Sequence, residues 1–202
     1  MLIIHSLIIA LLIGFFTEPA CHLPIKSADR ISIKSLTLTA IGEFGEFRKS
    51  RPSVPAHFHT GIDIKRPSDN YRDEPIFPAS EGVVISIRRD GPYAQLIIEH
   101  EGGQKFWTVY EHIAGIKVDL HERVKPDSPI ARFMNKNELN KHGWQFDHVH
   151  FEILKTKPTR LDPDKSKPER HFSSHTLACY TKEELNKYFY NPIGFLKEQF
   201  QQ

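Results

Sequence analysis

The stretch His148-Val-His-Phe-Glu-Ile-Leu154 reads as a β-strand. Alternate residues of a strand share a face, so His148 and His150 point the same way, about 7 Å apart. That spacing is too wide for a hydrogen bond between the two rings. It suits one metal ligand standing beside one acid–base group.

Working outward, the chain reads as short strands between turn residues. Ile31–Leu38 alternates, with one slip of phase at Ser35, and Val83–Arg88 and Ala94–His100 follow. Phe106–His112 and Ile130–Phe133 complete the series ahead of His148–Leu154. Gly82, Gly91-Pro92, Gly102-Gly103 and Asp127 supply the breaks. The many prolines leave little room for long helices. One short helix is expected near the C-terminus, where Thr181-Lys-Glu-Glu184 forms a capping box and Pro192 follows the end of the pattern. Before it, residues 155–172 are charged and punctuated by proline, the start of a surface excursion over 155–190. No internal repeat is present. These signals predict a mostly β fold, an antiparallel sheet or sandwich of roughly 150 residues.

The composition excludes several classes. Gly and Pro number 11 and 14 among 202 residues, ordinary usage that rules out collagen-like and low-complexity chains. With 39% hydrophobic and 26% charged residues the chain can fold. A formal net charge of +2 gives no reason to expect a nucleic-acid partner. Two cysteines, Cys21 and Cys179, exclude a cysteine-rich zinc module and a disulfide-framework miniprotein, although the two could pair with each other.

The first segment concerns address. Leu2–Phe16 is fifteen residues interrupted only by His5, Ser6 and Gly14, shorter than a spanning helix and close to a secretory apolar region. Residues 1–25 are therefore expected to be a signal peptide or an N-terminal anchor, with cleavage after Ala20 or lipidation of Cys21 as variants. The protein is expected to be exported to the periplasm or cell envelope, with membrane attachment through this segment as an option.

Three histidine clusters carry chemistry: His57-Phe-His59-Thr-Gly61-Ile-Asp63, Tyr110-Glu-His112 and His148-Val-His150-Phe-Glu152. On a strand, Tyr110 and His112 share a face as His148 and His150 do. His59 and Asp63 would be about 13 Å apart on a straight strand, whereas ligands of one zinc lie within about 4 Å. Gly61 permits the bend that brings them together. Catalytic zinc takes three protein ligands and keeps a fourth position open. His59, Asp63 and His150 would supply two imidazoles and a carboxylate. His112 and His148 remain for proton transfer to and from the reacting groups.

With these motifs in this order, the chain resembles the lysostaphin/LytM-type zinc metalloendopeptidases, whose signature is His-x-x-x-Asp, then Tyr-x-His, then His-x-His. Ile76–Val84, Arg123–Ala131 and Asn191–Leu196 are similar in kind to further family stretches, and the resemblance spans residues 36–197. It implies an antiparallel β-fold with an open groove, one zinc on His59, Asp63 and His150, and active-site roles for His112 and His148. It also implies hydrolysis of stem or cross-bridge peptides of bacterial peptidoglycan. The alternative within the fold is a non-catalytic activator of another cell-wall hydrolase. A phosphohistidine carrier domain is the rival outside it, opposed by the leader and by Asp63.

The chain departs from the family in three places. Asn135–Asp147 is bulkier than the small residues that usually precede His-x-His, which alters the groove wall. No tyrosine stands shortly before His59, leaving His57 as a substitute donor to the tetrahedral intermediate. The 155–190 excursion is longer than the family needs and could cover one end of the groove or bind a partner.

Overall fold

The computed structural model describes residues 21–52, 54–101 and 105–201. The apolar stretch Leu2–Phe16 and the Gly102-Gly103 break lie outside them. In chain order the strands are β1 (Phe47–Arg48), β2 (His57–Phe58), β3 (Ile62–Lys65), β4 (Pro75–Ile76), β5 (Gly82–Arg88), β6 (Gln95–His100) and β7 (Phe106–Glu111). They continue with β8 (Ile113–Ala114), β9 (Arg123–Val124), β10 (Ala131–Phe133), β11 (His148–Leu154), β12 (Thr159–Arg160), β13 (Phe172–Ser173) and β14 (Phe189–Tyr190). Three helices are present among the described residues: α1 (Lys136–His142), α2 (Lys182–Tyr188) and α3 (Pro192–Gln199). None of these helices is long and apolar enough to cross a membrane.

The main sheet runs β14-β11-β7-β6-β5-β9 and is antiparallel throughout. β3 lies against the first half of β11, and β14 against its last two residues. Strand alternation divides β11 cleanly. Val149, Phe151 and Ile153 enter the main core, while His148, His150 and Glu152 lie on the opposite face. Main-core side chains also come from Leu96, Ile98 and Tyr110 of the sheet and from Ile76, Ile113 and Phe133 of a smaller sheet, β4-β10-β8. The result is a two-layer antiparallel body of the kind the alternation predicts. Fully burying each such aliphatic or aromatic side chain contributes about 1.5–3 kcal/mol.

The opposite face of the main sheet serves two purposes. Over one part, Ile97, Trp107, Val109 and Leu154 pack beneath Cys179, Leu185 and Phe189 as a second cluster. Over the other part, Asp63, His148 and His150 come together. The 155–190 segment is thus only partly a surface feature, because its second half closes this second cluster.

Several local expectations change. Ile31–Leu38 forms no strand: residues 33–35 make a short 3-10 turn, and Leu38 alone bridges to Ile64. α1 was not anticipated, although Asn135 and Glu138 form the same reciprocal cap that announced α2 at Thr181 and Glu184. Pro192 follows the close of α2, as expected, and itself opens a further helix, α3. Asn191 accepts from the Ile193 and Gly194 amides, and proline at a first helical position gives up no needed donor. Cys21 and Cys179 are free, each buried in a different cluster. Cys21, Leu23 and Ile25 belong to the main core, and Ile25 bridges to Ile76.

Candidate metal centre

Asp63 and His150 meet because of register. They are directly opposite on the antiparallel pair β3–β11, where side chains of facing residues lie about 5 Å apart. His59 reaches them from outside the sheet. Its amide donates to the Glu46 carbonyl and its own carbonyl accepts from Gly45, so it belongs to the strand-like run before β3 and not to β3 itself. The turn between them passes Gly61, where an added Cβ would run into the Phe151 carbonyl of β11. Gly61 has no positive φ. Its absent side chain lets the expected bend pass close against the β11 backbone.

The three side chains converge. His59 Nε2 lies 3.0 Å from Asp63 Oδ1 and 3.0 Å from His150 Nδ1, and His150 Nδ1 lies 2.9 Å from Asp63 Oδ1. All three residues are buried. The remaining ring nitrogens are committed outward. His59 Nδ1 donates to the Glu43 carbonyl at 2.8 Å, and His150 Nε2 donates to Glu152 Oε1 at 3.0 Å. Each inward nitrogen of a neutral ring therefore carries a lone pair, and two lone pairs and a carboxylate oxygen face one another. That arrangement calls for a cation at its centre.

The donor set fits zinc. Zn–N bonds of about 2.0–2.1 Å in tetrahedral array separate ligand atoms by about 3.3 Å, close to the observed spacing. The outward hydrogen bonds fix the tautomer and orientation of both imidazoles, as metal-binding histidines require. Arg48 Nη2 pairs with Asp63 Oδ2 at 3.0 Å, leaving Oδ1 turned toward the histidines. In the metal-free protein, where protons rather than a cation separate the three inward atoms, burial disfavours the Asp63 charge but hydrogen bonds from His150 and His59 outweigh it and hold its carboxyl well below the usual range. Burial likewise opposes a charged His150, and Asp63 and Glu152 outweigh it and push its pKa up.

His148 and His112 stand beside this group. His148 Nε2 is 3.6 Å from Asp63 Oδ1, and the ring centroids of His112 and His148 are 4.9 Å apart, nearly perpendicular. The expectation that Tyr110 and His112 share a strand face does not hold. β7 ends at Glu111, and His112 adopts φ 63°, a left-handed conformation uncommon for a non-glycine residue. The Tyr110 ring consequently enters the core, where its hydroxyl accepts from the Ala79 amide at 2.8 Å, while the His112 ring turns to His148. His112 Nδ1 donates to the Pro92 carbonyl at 2.6 Å, which leaves its Nε2 as an acceptor. Burial lowers the pKa of both rings, that of His112 to about 3.

A cleft of about 720 Å³ adjoins the group, lined by Asp63 and His148 and walled by Ile41, Lys65, Tyr71, Trp144, Gln145 and Asp147. The bulky 135–147 stretch thus forms groove wall, with Trp144 edge-on to Tyr71 at 5.7 Å. Arg66 clasps Asp147 next to His148 at 2.7 and 3.0 Å. His57, the substitute donor suggested by sequence, is buried opposite Arg48 with Nδ1 held by the Pro55 carbonyl at 2.8 Å.

Glu152 stands in the third histidine motif, where the sequence assigns it no role. It is fully buried and accepts from His150, Thr60, Ser174 and Thr176. Its place two residues beyond His150 on one strand face was the available signal. Arg48 and the Glu43 carbonyl had none, because their contacts arise only from folding.

A family profile described as Peptidase family M23 matches residues 57–163. No curated protein sequence matches the chain. Among solved structures the chain is similar to a zinc containing peptidase from Vibrio cholerae, at 24% identity and TM-score 0.47, over 69% of this chain and 39% of that one. It is similar to the catalytic domain of the prophage-encoded M23 protein EnpA from Enterococcus faecalis, at 20% identity and TM-score 0.43, over 75% and 93%. A chain of the SpoIIIAH and SpoIIQ complex is also similar, at 19% identity and TM-score 0.44, over 67% and 92%. These structural likenesses are distant, whereas the profile covers more than half of the chain and contains all five polar motif positions. The protein therefore belongs to peptidase family M23, in keeping with its LytM-type motifs.

Proposed function

We propose that the protein is a zinc-dependent endopeptidase acting outside the cytoplasm on peptide bonds of bacterial peptidoglycan. The observation that carries this reading is the convergence of His59 Nε2, Asp63 Oδ1 and His150 Nδ1 within 3.0 Å of one another, each ring fixed by an outward hydrogen bond. His59, Asp63 and His150 would hold the ion. Zinc, when bound, acidifies a water and polarises the scissile carbonyl.

The chain's own residues handle the protons. His148 lines the cleft and His112 lies against it, both neutral through burial. Together they accept the proton that the attacking water gives up and return it to the departing amine. Residues of the 39–41, 65–71 and 144–147 segments line the cleft in which a peptide would lie. The apolar stretch Leu2–Phe16 supports export, and the LytM-type motifs support a wall-peptide substrate.

The test uses the full chain with three substitutions and purified walls of both cross-link chemistries, direct and glycine-bridged. His150→Ala should lose zinc and hydrolysis together. His148→Ala and His112→Ala should keep zinc and lose about 10²–10⁴-fold in rate. Wild-type protein that holds zinc yet releases no fragment from either wall would favour the non-catalytic activator instead.

A further inference from the structure

Ser174 and Thr176 lie beyond residue 163, outside the matched family region and inside the 155–190 segment. Both hydroxyls donate to Glu152, Ser174 to Oε2 and Thr176 to Oε1 at 2.8 Å. Their hydroxyls also meet each other at 2.9 Å. Thr60, one residue after His59, also donates to Oε1. Oε1 is in turn the acceptor for His150 Nε2. Glu152 is 0% exposed, and among the described residues no lysine or arginine pairs with it.

This arrangement has a specific consequence for the metal ligand. A fully buried carboxylate is costly unless its oxygens are satisfied. Here neutral hydroxyls satisfy them, so orientation is fixed without cancelling the charge. The full negative charge remains for the His150 Nε2–H bond, which sets the ring's tautomer and makes Nδ1 a better donor to a metal.

We propose that Ser174 and Thr176 are positioning residues for His150, acting through Glu152, so that the 155–190 segment tunes the metal centre from behind. The proposal rests on the reading of His150 as a metal ligand. It gives the long segment a role other than covering the groove.

The test compares the full-length wild type with Ser174→Ala/Thr176→Val, Thr176→Ser and Ser166→Ala. The Ser166 hydroxyl donates to Asp164 on the same segment and serves as the control. Zinc affinity is read by competition with a chromophoric chelator, and ligand geometry by the visible spectrum of the cobalt-loaded protein. The double variant should show unchanged circular dichroism, a 10–100-fold weaker zinc affinity and altered cobalt bands. Thr176→Ser, which keeps the hydroxyl, and Ser166→Ala should match the wild type. Should the double variant not fold, Glu152→Gln keeps the volume and removes the charge, and the same loss of affinity is expected of it. A folded double variant, or a folded Glu152→Gln, with wild-type affinity and spectrum overturns the proposal. A wild-type chain that takes up neither zinc nor cobalt overturns the metal-centre reading itself, a distinct result.

Discussion

Replacing Gly61 with alanine should damage both the fold and the metal centre, although glycine to alanine is a gain at many positions. The new Cβ would collide with the Phe151 carbonyl group and reach Glu152 Cγ at 3.0 Å. The obstacle is mostly the backbone of β11, strand-paired on both sides, so it cannot swing aside as a flexible side chain would. Ordinary contact requires β3 and β11 to part locally by roughly 1 Å. Overpacking of this kind costs about 1–3 kcal/mol, and a protein of this size loses about 2–4 °C of melting temperature per kcal/mol. A shift near 1 Å also exceeds the roughly 0.5 Å within which a metal constellation must be held. Gly61→Ala should therefore melt roughly 4–8 °C lower at a central cost of about 2 kcal/mol, and bind zinc at least tenfold more weakly. Gly194→Ala is the matched control: it lies in α3, where an added Cβ would meet the Asn191 Cβ at 4.0 Å, an ordinary contact, and should be neutral or stabilising by up to about 1 kcal/mol. Calorimetry with and without chelator, together with zinc competition, reads all of these quantities. Unchanged melting and zinc affinity in Gly61→Ala would refute the argument that close approach of β3 and β11 builds the site.

Two further tests address groups away from the metal. His100 is buried, with Nδ1 on the Glu81 carbonyl and Nε2 on Thr108, and burial lowers its pKa from 6.5 to about 4. Between those values the unfolded chain binds more protons, so stability falls as pH falls. Relative to His100→Gln, the wild type should lose about 3 kcal/mol between pH 7 and 4 in urea titrations with chelator present, and equal slopes would count against this. Tyr110→Phe strands the Ala79 amide in the core, while the Thr108 hydroxyl keeps its bond to His100 Nε2. It should cost about 1–3 kcal/mol while leaving zinc affinity unchanged, since the ring is on the core face. Loss of zinc without loss of stability would contradict that placement.

Most of the β architecture was legible because strand alternation is a local property. His148–Leu154 is strand over its whole length, and Val83–Arg88, Ala94–His100 and Phe106–His112 come within a residue of the observed bounds. Ile31–Leu38 shows the limit. Its alternation is real, but a strand needs a partner along its length, and only Leu38 finds one, at Ile64. α1 was missed because Asn135 is a less conspicuous cap than Thr181, even though both caps close the same two bonds. The motif spacing placed five polar residues in one site, and the fold does bring all five together.

By itself, the sequence determined which side chains are available and which of them share a strand face. It therefore determined that His148 and His150 look the same way, and that Asp63 and His59 need a turn to meet. The pairing of Asp63 with His150 was a matter of register between strands 87 residues apart. Register depends on which apolar faces bury together, and no local pattern encodes it. The turn of His112 away from Tyr110 was likewise decided in three dimensions, by the break after β7 that places one ring in the core and the other beside His148. So was the grip on Glu152, where Thr60, Ser174 and Thr176 arrive from distant parts of the chain. A buried carboxylate must collect its donors from whatever the fold sets beside it, and only the closed tertiary structure selects them.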